Sequence, residues 1–135
     1  MIEGMHQIGE VAGQVGLSLR TIRHYEEIGL VPPSGRSAGG FRLYTVDDVE
    51  RLRLVKQIKA LDFSLDETRE LLQLRDRLAD AVPDDEHAAL VERLELFAVA
   101  AEQRCRALGE QMDAAQSMAH TLRREVRRHR SAVRR

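Results

Sequence analysis

Cysteine occurs once in the 135 residues, as Cys105, which excludes an internal disulfide framework and any multi-cysteine zinc module. Long hydrophobic runs are missing too. None approaches the roughly 20 apolar residues of a membrane span, so no membrane partner is expected. Met1 to Gly9 holds no lysine or arginine and no continuous apolar stretch; a secretory leader is therefore not expected, and a cytoplasmic location is. The chain has no phosphate-cradling glycine loop, no nucleophile beside a base and no metal-hydrolase motif. Neither enzymatic activity nor a bound cofactor is expected.

Net charge is also nearly absent, at −1, but the charges are segregated. Residues 1–60 carry eight basic and seven acidic side chains, residues 61–122 six against fourteen, and residues 123–135 seven arginines against Glu125. A mildly basic head, an acidic middle and a basic tail follow. A neutral whole can thus hide a nucleic-acid surface.

Aromatics are few, and Tyr25, Phe41 and Tyr44 fall within twenty residues of one another. Ile8, Val11, Ala12 and Val15 recur at i, i+3, i+4 and i+7, one face of a short helix that Gly16 ends. Ser18 is an N-cap for a second helix, about Leu19 to Ile28, which Gly29 stops. Two short helices across a tight turn make a helix-turn-helix. After Pro32-Pro33, residues Ser34 to Tyr44 read as a hairpin, with Gly39-Gly40 supplying the positive-φ turn. Thr45 caps a third helix to about Leu61, with Asp47 and Asp48 favourable at its N-terminus. Ser64 and Glu67 form a capping box for a fourth, whose apolar positions are Leu65, Leu71, Leu72 and Leu78. Ile8, Val11, Val15, Ile22, Leu52 and Leu61 are the expected core.

From Pro83 onward only Gly109 interrupts helical character. Leu90, Leu94, Phe97, Ala101, Cys105, Leu108, Met112, Ala115, Ala119, Leu122 and Val126 form a heptad seam with one stutter at Ala101–Cys105. A helix from Asp84 to about Arg128 is roughly 65 Å long at 1.5 Å per residue. So long a stripe needs a partner, and a second copy is the simplest. Like-charge repulsion predicts that the helix stops near Arg128 and leaves 129–135 as a disordered basic tail. The expected domains are a DNA-binding head over 1–82 and a dimerisation helix over 83–128.

The residues Ile8-Gly9-Glu10-Val11-Ala12, Leu17-Ser18-Leu19-Arg20-Thr21-Ile22-Arg23-His24-Tyr25-Glu26, Gly29-Leu30-Val31, Arg36, Gly40-Phe41-Arg42-Leu43-Tyr44 and Phe63-Ser64-Leu65-Asp66-Glu67 form an ordered set that resembles the MerR family. That resemblance implies a mainly α fold: a winged helix-turn-helix with a small β-hairpin wing, then a long antiparallel coiled-coil dimerisation helix. It implies a homodimer on a pseudopalindromic site in double-stranded promoter DNA. It also implies activation by bending and untwisting the promoter spacer, so that RNA polymerase is engaged indirectly.

Arg20, Thr21, Arg23, His24 and Tyr25 lie on the recognition helix, with Ser18 at its cap. Arginine forks suit phosphates and guanine edges, and tyrosine hydroxyls fix backbone position. Arg36 and Arg42 belong to the first wing, Tyr44 to its base and Lys59 to the second wing, where Asp62 replaces the family's usual glycine. Packing roles for Tyr25 and Tyr44, and a solvated one for Arg20, stay open. Arg51, Arg53 and Lys56 read as a solvated helix face, one of them within reach of phosphate.

The effector is not legible. The cysteines of the family's thiol-type metal sensors are absent, and Cys105 reads as a small seam residue, with a disulfide across a dimer axis as the alternative. No metal site is expected; the nearest candidate is His87 of one protomer beside His120 of another. The competing functions are a repressor or architectural protein without effector-driven activation, and a helical adaptor without DNA binding.

Overall fold

The computed structural model describes residues 4–133. Met1–Glu3 and the last two residues of the expected basic tail, Arg134 and Arg135, lie outside the described residues. The elements run β1 (Met5–Gln7), α1 (Ile8–Val15), α2 (Leu19–Glu27), β2 (Gly35–Arg36), β3 (Arg42–Thr45), α3 (Val46–Ala60), α4 (Leu65–Ala79) and α5 (Asp84–Val133). Two compact units divide the chain, Met1–Asp76 and Arg77–Arg135. The division falls inside α4, ahead of the step expected between residues 82 and 83.

In the first unit, α1 ends where Gly16 turns left-handed (φ 70°) and its N–H returns to the Ala12 carbonyl. A side chain there is disfavoured by the positive φ, and its Cβ, 2.8 Å from Lys56 Nζ, would also push the lysine aside. Ser18 Oγ then accepts the Thr21 N–H at 3.1 Å and starts α2. The hairpin closes differently from the expected two-glycine turn. Gly40 alone has positive φ, at 83°, and the Gly40 N–H donates to the Ser37 carbonyl at 2.9 Å. A turn followed by one left-handed glycine is the usual three-residue hairpin loop.

The wing is also larger than the sequence pattern shows. β1 pairs antiparallel with β3, His6 facing Tyr44, and β2 pairs with the other edge, giving the order β1-β3-β2. Three residues are too few for periodicity to register, which is why β1 was not anticipated.

Val11, Val15, Ile22 and Leu52 are buried as expected, joined by Val31, Val49, Val55, Phe63, Leu72 and Leu74. Ile8 and Leu61 sit half-buried at the rim of this core. Each fully buried aliphatic side chain contributes roughly 1.5–3 kcal/mol. Caps fix where α3 and α4 begin: Thr45 and Asp48 bond reciprocally at 3.1 and 2.9 Å, and so do Ser64 and Glu67.

Asp62, in the turn between α3 and α4, has φ 63° and is the non-glycine residue with positive φ among those described. A Cβ in that region costs roughly 1–2 kcal/mol, partly offset by the unfolded-chain entropy that glycine would add. Asp62→Gly is accordingly expected to stabilise the head by about 0.5–1 kcal/mol in urea unfolding; a lower midpoint would contradict the strain.

The second unit is dominated by α5, 50 residues long. It continues to Val133 instead of ending near Arg128. Arginine is a good helix former, and cations at a helix C-terminus lie favourably against its dipole, which outweighs their mutual repulsion.

Candidate nucleic-acid interface

Ile22 and Tyr25, three positions apart, turn inward from α2. That anchoring leaves Arg20, Arg23 and His24 exposed on the outer face. With Thr21 they line a recess of about 920 Å³, to which α3 contributes Lys59 and the start of α4 contributes Leu65. Residues expected to touch DNA from two separate segments therefore meet on one surface. Three basic side chains, Arg20, Arg23 and Lys59, give it the charge a phosphate backbone attracts. Glu27 is the one carboxylate on the same lining.

Several expected contacts have other duties. Ser18 is spent on the cap and lies 2.8 Å from the Thr21 hydroxyl. Tyr25 is 7% exposed, its ring 6.2 Å from that of His24, and burial raises its phenol above the ordinary value. Its ring packs inward, and Tyr25 also lines the recess.

Tyr44 corrects the expectation more sharply. It is fully buried at 0% exposure, and its hydroxyl has no hydrogen-bond partner among the described residues. Burial first, and the Glu26 carboxylate second, raise its pKa. A phenol so placed does not reach DNA. Removing an unpaired buried hydroxyl is expected to help: Tyr44→Phe should gain about 1 kcal/mol in chemical unfolding and leave duplex affinity unchanged. The pH dependence has a definite sign. Above pH 10 the unfolded chain loses the phenol proton while the folded one keeps it, so stability falls as pH rises, and Tyr44→Phe should fall less steeply. A loss of DNA affinity in this variant would restore Tyr44 to the interface.

On the first wing, Arg36 donates to Glu26 Oε1 at 3.1 Å and to the Gly40 carbonyl at 3.0 Å. Arg42 Nε donates to Glu26 Oε2, and that bond, ahead of the Coulombic attraction, raises the Arg42 pKa. Glu26 was not among the expected site residues. Its signal was a carboxylate one turn past Arg23, next to Glu27 at the end of a helix that starts with cations.

Arg51, Arg53 and Lys56 are not a free solvated face. Arg51 grips Asp76 through two bonds of 2.8 and 3.0 Å, and Arg53 pairs with Glu50. Lys56 donates to the Val15 carbonyl at the end of α1, at 3.0 Å.

Along α5 the seam residues divide. Leu90, Leu94 and Ala101 are half-buried and Phe97 is buried, with the Arg93 guanidinium 5.2 Å above its ring. Cys105, Leu108, Met112, Ala115 and Leu122 are exposed. His87 and His120 stand about 50 Å apart along one helix and cannot share an ion within a chain. Among the described residues no three His, Cys, Asp or Glu side chains gather as a metal site would need. No helix there is long and apolar enough to cross a membrane.

A helix with a cationic outer face, set between a hairpin wing and a second helical turn, defines a winged helix-turn-helix DNA-binding module. Two family models match: MerR HTH family regulatory protein over residues 7–75, and MerR, DNA binding, over residues 49–125. The chain belongs to the MerR family of DNA-binding transcriptional regulators.

Among its relatives, the transcriptional regulator ZntR of Escherichia coli K12 is 42% identical over 71 residues, 53% of this chain and 50% of that protein. HmrR of Rhizobium leguminosarum bv. viciae is 41% identical over 88 residues, 63% of this chain and 67% of its own. The mercuric resistance operon regulatory protein of Bacillus cereus is 41% identical over 71 residues, 53% of this chain and 54% of its own. The chain thus spans about half the length of most of these curated relatives.

Of solved structures, PbrR691 from Ralstonia metallidurans CH34, in complex with lead(II), shares 36% identity with a TM-score of 0.52 over 79% of this chain and 82% of that one. HiNmlR, a family regulator lacking the sensor domain and bound to promoter DNA, shares 23% identity at a TM-score of 0.63 over 81% and 79% of the two chains. The second likeness is one of fold.

Proposed function

We propose that this regulator works in the cytoplasm as a homodimer on a pseudopalindromic promoter site, and changes transcription by bending and untwisting the spacer between promoter elements. Its link to RNA polymerase then runs through the promoter. One observation carries the dimer. Leu108, Met112, Leu122 and Val126 are 47, 62, 49 and 38% exposed at heptad spacing on a single long helix. Apolar residues so arranged and left uncovered are what a paired helix buries. Past Val126, Val133 adds one more exposed apolar side chain at heptad spacing, beside Glu125, His129 and Arg130 on the same open surface.

Charge favours an antiparallel pair. Residues 84–102 of α5 hold six carboxylates against one arginine, and residues 115–133 hold five arginines against Glu125. Antiparallel helices set the acidic end of each against the basic end of the other; parallel ones set like against like.

Two heads joined in this way present two cationic recesses and two wings, each contributing phosphate contacts. Those contacts offset a DNA bending cost of order 1–6 kcal/mol.

In vitro transcription decides the mechanism. On a promoter with an inverted repeat inside an overlong spacer the protein is expected to stimulate, and shortening the spacer by two base pairs should abolish that stimulation. Persistent stimulation on the short spacer, or repression of both templates, would reject distortion as the means.

A further inference from the structure

The register of the hairpin places Arg36 directly opposite Arg42. Like charges at opposed positions of an antiparallel pair are destabilising. Glu26 resolves the conflict from α2: one carboxylate oxygen accepts from Arg36 at 3.1 Å and the other from Arg42 Nε. Arg36 is fastened a second time, to the Gly40 carbonyl at the wing loop. Exposure grades across the triad, with the side chains of Glu26 at 21%, Arg42 at 27% and Arg36 at 50%. The carboxylate is the shielded member, and the outermost guanidinium faces solvent beside the recognition helix.

Isolated surface ion pairs stabilise little, but a carboxylate shared by two arginines from another element also fixes geometry. We propose that Glu26 is a positioning residue for DNA recognition. It sets the first wing on the recognition helix through Arg42 and aims Arg36 outward, without itself touching DNA. The inference rests on the DNA-binding reading and adds a source of operator discrimination that lies outside the cationic face.

Removing the charge at Glu26 separates two effects that a general loss of structure would merge. The triad goes from a net charge of +1 to +2, so attraction to any duplex is kept or increased. The frame that matches wing to helix is relaxed at the same time, so the preferred sequence loses its advantage.

The test uses the full chain and two fluorescent duplexes of equal length at one salt concentration. One is selected from a random library by the wild-type protein; the other is an unselected random sequence. For Glu26→Gln, affinity for the selected duplex is expected to fall while that for the random duplex holds or tightens, cutting their ratio roughly tenfold. A ratio within twofold of wild type overturns the proposal. Should Glu26→Gln not fold, Glu26→Asp keeps the charge but shortens the reach. A fall in ratio with that variant supports positioning, and an unchanged ratio rejects it. A wild-type protein that enriches no sequence removes the DNA-binding reading, and this inference with it; that outcome is visible before any variant is made.

Discussion

Aspartate at both Leu108 and Leu122 is expected to abolish the proposed self-association and leave the protein monomeric. Both leucines stand on the uncovered half of α5 and are about half exposed in one chain. In a two-fold pair each position occurs twice, so the double substitution removes four leucines from the seam. With about half of each side chain left for a partner to cover, at roughly 1.5–3 kcal/mol for a whole leucine, the loss is about 3–6 kcal/mol before the cost of burying carboxylates. Sedimentation should report a single chain mass. Affinity for a two-site duplex should fall at least about a hundredfold, because one head supplies half the phosphate contacts. A dimer that survives these substitutions would place the contact elsewhere on the molecule.

The second large effect is expected at Arg23. Its side chain is exposed and lines the same recess as Arg20 and Lys59. A bidentate arginine contact with a base edge is worth about 1–3 kcal/mol, and a dimer makes it twice. Arg23→Ala should therefore weaken binding to a selected duplex by roughly 2–6 kcal/mol, about thirtyfold or more. The salt series tells which kind of contact was lost. A phosphate contact lowers the slope of log affinity against log salt by about 0.9 per head, whereas a base contact leaves the slope and relaxes the preferred sequence. Anisotropy titrations that stay within twofold of wild type would take Arg23 out of the interface.

What the sequence disclosed follows from how each signal is written. Gly16, Ser18, Thr45 and Ser64 mark helix ends through their own backbone and hydroxyl chemistry, so α1 to α4 were readable from single residues. The seam on α5 was readable because eleven apolar positions keep a heptad spacing broken by a single stutter. The choice left open for Tyr44, packing or contact, could not be made from pattern, because alternation assigns a strand residue to a face but does not say which face is covered. β1, which pairs along one edge of β3, is too short to announce itself. Glu26 was missed because its partners are ten and sixteen positions away. Long-range pairing leaves no mark on local pattern. Lys56 and Arg51 look like surface cations for the same reason, and each holds a distant segment.

Arg69 of α4 donates to the carbonyl of Ile28, the residue that closes the recognition helix. The far end of α2 is thus finished by a side chain some forty positions downstream, while its near end is finished by its own Ser18. This bears on how the protein is cut down for study. A fragment that stops after the wing, or even after α3, retains every cation of α2 yet strips the donor from its last turn. The shortest piece able to present that helix whole has to extend beyond Arg69.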